Sequence, residues 1–111
     1  MIHIDEIWLS REPLDMRSGA EKTLGRVVCS FGEAKPHCAY VFLNKRANRL
    51  KVLVCDGFGI WLASRRLHEG KFVFNALRSD RGTELQASQL EALVMGLPWR
   101  YAGLDYTIKH V

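Results

Sequence analysis

The stretch Cys38-Ala39-Tyr40-Val41-Phe42-Leu43-Asn44-Lys45-Arg46-Ala47-Asn48-Arg49-Leu50-Lys51-Val52-Leu53-Val54-Cys55-Asp56-Gly57-Phe58-Gly59-Ile60-Trp61-Leu62-Ala63-Ser64 decides the fold. Its three apolar runs, 38–43, 50–55 and 60–64, are rich in β-branched and aromatic side chains, which suit a pleated surface. Asp56-Gly57 lies between the second and third runs, and that dipeptide between two such runs is a strong hairpin signal. The first two runs are joined by a polycationic connection, residues 44–49. An antiparallel meander follows. In its second run Leu50, Val52 and Val54 share one face, while Leu53 and Cys55 lie with Lys51 on the other. In the third, Ile60, Leu62 and Ser64 oppose Trp61 and Ala63. A sheet apolar on both faces needs cover on both.

Upstream, Ile2, Ile4, Ile7 and Leu9, with Trp8, suggest a short strand ending near Ser10, where Arg11-Glu12-Pro13-Leu14 interrupts it. Asp15 stands where a helix N-cap would, and Ser18 with Glu21 forms a competing capping box. The helix that follows gathers Met16, Ala20, Leu24, Val27, Val28 and Phe31 on one side and stops at Gly32. It covers one sheet face; the C-terminal helix, another subunit or a ligand must cover the second.

Downstream, Phe72-Val73-Phe74 reads as a fourth short strand and Thr83-Glu84-Leu85 as a brief edge strand. Ser88 reads as the N-cap of a helix carrying Leu90, Leu93, Val94 and Leu97 at helical spacing, ended by Gly96 and Pro98, with Trp99 packing back. The expected fold is α+β: an antiparallel β-meander of about four to five strands, with one helix before it and one after it. Residues 1–99 are expected to form a single domain and 100–111 a C-terminal tail, docked or flexible.

The chain has 111 residues, 48% hydrophobic, 25% charged and 10% aromatic, which excludes a disordered segment and allows one modest core. Three cysteines at 29, 38 and 55, without a C-x-x-C spacing, argue for reduced thiols rather than a disulfide framework or a zinc site. The four histidines are scattered, so no metal and no cofactor is expected. From the acidic start no targeting peptide is expected, and no apolar run reaches membrane-spanning length. A soluble cytoplasmic protein without membrane contact is the expectation. The formal net charge of +4 favours polyanions without demanding them.

Lys45, Arg46, Arg49 and Lys51 fall within seven residues, and Arg65, Arg66 and Lys71 lie just past the next hairpin. In an up-down-up meander these two clusters lie at the same end of the sheet. Together they make a phosphate-tracking surface, with Tyr40, Phe58 and Trp61 on nearby strands as stacking partners. The plainer reading is that turns are where solvated charges collect. Asp15, Asp56 and Glu69 are the carboxylates that could hold magnesium. Each has a simpler role: a helix cap, the Asp-Gly turn, and neutralisation of a basic loop. No catalytic motif is present, and no catalytic residue is expected. Apolar residues on both sheet faces suit a homo-oligomer or a larger protein partner equally well.

The order of motifs adds more than any one of them. Asp15-Met16-Arg17-Ser18-Gly19, then Tyr40 to Leu53, Asp56-Gly57-Phe58-Gly59-Ile60-Trp61-Leu62, Arg65-Arg66-Leu67-His68-Glu69-Gly70-Lys71-Phe72, and Gln89-Leu90 to Gly96-Leu97-Pro98-Trp99 follow in series. This series resembles the small accessory protein encoded by insertion-sequence-66-type bacterial transposons, over about residues 4 to 99. Phe42 with Lys45, Arg46 and Arg49, then Lys51, then Asp56-Gly57 match that family's recurring features. Ser18 departs from the usual lysine or arginine, and Asn75-Ala76 from a stretch that often carries tryptophan and proline. The resemblance implies a role in transposition beside a separate, larger transposase that carries the acidic catalytic residues. The resulting expectation is a non-catalytic accessory factor that binds DNA through Lys45, Arg46, Arg49, Lys51, Arg65, Arg66 and Lys71, with the transposase of the same element as a protein partner. The alternative is a protein–protein adaptor or oligomeric scaffold without DNA contact.

Overall fold

The structure, a computed structural model, describes residues 3–73 and 82–98. The elements in chain order are β1 (Glu6–Ser10), α1 (Ala20–Phe31), β2 (Cys38–Leu43), β3 (Arg49–Cys55), β4 (Ile60–Arg66), β5 (Gly82–Leu85) and α2 (Ala87–Val94). They form one five-stranded sheet in the order β4-β3-β2-β1-β5. The α+β class and the two flanking helices are as expected, and β2–β3–β4 is the antiparallel meander read from the sequence.

The sheet is mixed rather than purely antiparallel. β1 pairs parallel with β2, Ile7 opposite Ala39 and Leu9 opposite Val41. The physical reason is the connection: a chain that crosses over through a helix re-enters the sheet in its original direction, whereas a tight turn reverses it. β5 then pairs antiparallel with the outer side of β1.

Alternation along the strands sends side chains into two cores, one on each face. Val27 of α1 closes over Tyr40, Phe42 and Leu53, with Leu24 and Phe31 packed alongside. On the opposite face Ala92 and Leu93 of α2 close over Ile7, Leu9, Val41, Leu50, Val54 and Leu85. The C-terminal helix is thus the second cover. Tyr40 is buried, and its hydroxyl accepts from the Lys35 amide at 3.0 Å and donates to the Glu33 carbonyl at 3.4 Å, which secures the connection into β2.

Several local expectations are corrected. Neither Asp15 nor Ser18 caps α1; the helix begins after Gly19, which makes no side-chain cap. The Asp15 carboxylate instead accepts from the Arg17 amide and holds a preceding turn. Val28, expected in the core, is exposed. Gly32 does end the helix, with φ of 90°. Phe72 and Val73 form no strand: Phe72 is buried, and its amide donates to the Ala47 carbonyl at 2.6 Å. Phe74 lies outside the described residues. Ser88 sits inside α2, whose N-cap is Gln86, in a capping box with Gln89. Trp99 and the tail 100–111 also lie outside the described residues.

Gly82 leaves no room for a side chain against β1. It pairs with Ser10, and an added Cβ would run into the Leu9 carbonyl and crowd the Phe31 ring. Gly82→Ala must push β5 away from β1 and is expected to cost about 1–3 kcal/mol. Thermal denaturation checks this, and an unchanged Tm would contradict the β1–β5 ladder.

Candidate nucleic-acid interface

The basic connection between β2 and β3 is organised by one side chain. Asn44 Oδ1 accepts from the amides of Asn48 and Arg49, both at 3.0 Å, and its Nδ2 donates to Asn48 Oδ1 at 2.7 Å. The backbone closes the same turn, with the Asn44 amide donating to the Arg49 carbonyl and the Ala47 amide to the Asn44 carbonyl. Ala47 takes a left-handed conformation, φ 55°, to complete it. Asparagine suits this role because its short amide mimics a backbone turn. Lys45 and Arg46 are thereby held at an exposed apex.

The second basic segment lies directly against this turn. The Leu67 amide donates to the Asn48 carbonyl at 3.2 Å, and the Phe72 amide to that of Ala47. In the β3–β4 ladder Arg49 is opposite Arg66, Leu50 opposite Arg65 and Lys51 opposite Ser64. The two clusters therefore meet at one end of the sheet, as the meander geometry requires.

They do not act as one set of seven. Lys51 is half-buried, and its Nζ donates to the Ser18 carbonyl at 2.7 Å, tethering the approach to α1. Arg65 points to the other face, where its Nε donates to the Val94 carbonyl at 2.6 Å, a cation at a helix C-terminus. Lys71 is exposed on the segment that wraps the turn. Lys45, Arg46, Arg49 and Arg66 are exposed, and among the described residues no carboxylate is within ion-pairing reach of them.

Lys45, Arg46 and Arg49 line an open groove of about 820 Å³ between this turn and the segment 13–17. Arg17, which the sequence reading left out, lines it too. The Asp15-x-Arg17 spacing was the available signal, but it was absorbed by the helix-cap reading. Arg17 grips Asp15 in a forked pair, Nη2 to Oδ2 at 2.7 Å and Nε to Oδ1 at 3.1 Å. That side-chain hydrogen bonding, with the Arg17 amide, holds the Asp15 carboxyl well below the usual range and raises Arg17. Asp15 is the one carboxylate in the groove lining, against four cations.

The carboxylates weighed as magnesium ligands are not brought together. Asp56 lies at the other end of β3, where its Oδ1 accepts from the amides of Phe58 and Gly59 at 2.9 and 3.0 Å and its Oδ2 from Trp61 Nε1 at 2.9 Å. Those hydrogen bonds, the Phe58 amide foremost, lower its pKa. No group of three possible metal ligands occurs among the described residues. Tyr40 is buried, and Phe58 and Trp61 belong to the hairpin at the far end, so none of the three flanks the basic turn.

Fold and groove together define a small α+β domain with an open cationic cleft at one end of its sheet. The chain belongs to the family described as IS66 Orf2 like protein, which matches residues 5–103. It is thus a transposition-associated accessory protein of IS66-type elements, as the motif series implied. It is 33% identical over 95 residues to y4jC of Sinorhizobium fredii, an alignment covering 84% of this chain and 80% of that protein. It is 29% identical over 97 residues to y4hO of the same organism, covering 86% and 83%. Both relatives are described as uncharacterized proteins. No solved structure matches the chain. No helix among the described residues is long and apolar enough to cross a membrane.

Proposed function

We propose that this protein is a non-catalytic, cytoplasmic DNA-binding factor that assists the transposase of its element. Lys45, Arg46, Arg49 and Arg66 contact phosphates; Lys71 adds to the field from the adjacent segment; Lys51 and Arg65 hold the frame that presents them. The observation that carries this reading is the cross-strand pairing of Arg49 with Arg66. Like charges directly opposite in a ladder destabilise the sheet, and no described carboxylate relieves these two. A phosphodiester between the guanidiniums converts that repulsion into charge-assisted hydrogen bonds.

Electrophoretic mobility shift with the purified protein should show binding that weakens steeply as salt rises, the signature of counterion release. Arg66→Glu supplies the sharper test. Opposite Arg49 it replaces a like pair by an opposite one, so Tm should rise slightly while DNA affinity falls. An unchanged affinity would remove Arg66 from the interface.

A second reading, a protein–protein adaptor or scaffold without DNA contact, is favoured by Phe58, fully exposed, and Trp61, half-exposed, on the β3–β4 hairpin. Retention of the transposase by the immobilised protein, with no mobility shift at low salt, selects it.

A further inference from the structure

We infer that the groove takes duplex DNA in preference to single strands, an inference that rests on the DNA-binding reading above. Single-strand binders combine cations with aromatic platforms, each stacked base contributing about 1–3 kcal/mol. None of the described residues lining this groove is aromatic. Tyr40, Phe42 and Phe72 are buried in the two cores, and Trp8 and Phe31 pack against each other, ring centroids 6.1 Å apart. Phe58 and Trp61 are exposed, but the hairpin that carries them is separated from Arg49 by the length of β3. Six residue steps of strand place that end about 20 Å away. His68 is exposed on the segment after β4, and it does not line the groove.

The groove's neutral polar side chains are largely turned to holding the turn. Asn44 uses both its amide oxygen and its nitrogen within the turn, and Asn48 Oδ1 accepts from it. The Asn44 oxygen, which already accepts two hydrogen bonds, is not free to read the edges of unstacked bases. Among the described side chains of the groove charge dominates, and charge favours the duplex, which carries a phosphate about every 1.7 Å of axis, twice the density of either strand alone. A surface of this kind positions itself on the backbone and reads no sequence.

The test is a fluorescence-anisotropy titration of the full chain with a labelled duplex and with each of its separated strands, at equal phosphate concentration and low salt. The duplex should bind at least about tenfold tighter than either strand, the deficit expected where one stacking platform is missing. Phe58→Ala should leave both affinities unchanged. Strands bound as tightly as the duplex, or strand binding abolished by Phe58→Ala, would overturn the duplex preference while leaving DNA binding intact. Binding to neither probe would overturn the DNA-binding reading itself, and this inference with it.

Discussion

Arg46→Ala, Arg49→Ala and Arg66→Ala combined are expected to lower DNA affinity about a hundredfold at low salt. Each substitution removes a hydrogen-bonding cation from the phosphate-facing surface, a loss of about 1 kcal/mol or more, and three such losses multiply. The dependence of log affinity on log salt should flatten by about three, one for each phosphate no longer neutralised. Fold damage is not expected to confuse the result. The three side chains are exposed and make no described hydrogen bond, while the turn that displays them is held by Asn44 and by backbone groups that alanine keeps. Titration at several salt concentrations, with a melting curve for each variant, separates the terms. A lowered affinity with an unchanged salt slope would mean that the arginines act through something other than phosphate binding.

Phe42→Ala is expected to cost about 3–5 kcal/mol of stability. Phe42 has no exposed surface, sits in the strand flanked by β1 and β3, and packs in the core beneath α1 with Val27, Tyr40 and Leu53. Truncation leaves a cavity walled by two elements that cannot both move in to fill it. A domain of this size is typically stable by about 5–15 kcal/mol, so the loss takes a large share of the margin. Phe42 also lies opposite Lys51, the residue tied to the Ser18 carbonyl at the approach to α1. The cavity should therefore loosen the wall of the groove as well as the core. Urea denaturation gives the free energy, and a cost below about 1 kcal/mol would show that the core collapses around the gap.

What could be read from the sequence divides by range. The meander, its Asp-Gly hairpin and the convergence of the two basic clusters follow from alternation and turn chemistry over a few residues, and they were legible. The parallel pairing of β1 with β2 was not, because strand direction depends on where the chain returns after α1. The helix starts were misread for a related reason. Asp15 and Ser18 are competent caps, yet Asp15 serves a turn and an arginine while the Ser18 carbonyl receives Lys51 from 33 residues away. Among the seven basic residues, composition could not separate the outward-facing from the tethered. Lys51 and Arg65 are distinguished only by partners 33 and 29 residues distant, and no local pattern announces them. The aromatic residues were misjudged as stacking partners because proximity in sequence to a basic turn says nothing of which end of a strand a ring occupies.

The mixed sheet has a consequence for the order in which the molecule comes together. β2–β3 and β3–β4 close over short turns, so the basic apex and its neighbouring strands assemble from local contacts. Pairing β1 with β5 joins Ile7 to Leu85, the longest-range pairing in the sheet, and the entropy of closing such a loop delays it. Until β5 arrives, β1 presents an open row of amides and carbonyls able to recruit another chain. The four residues Gly82–Leu85 then take over as the edge, a shorter row than β1 offers: the basic end of the sheet is built first, and this edge is blunted last.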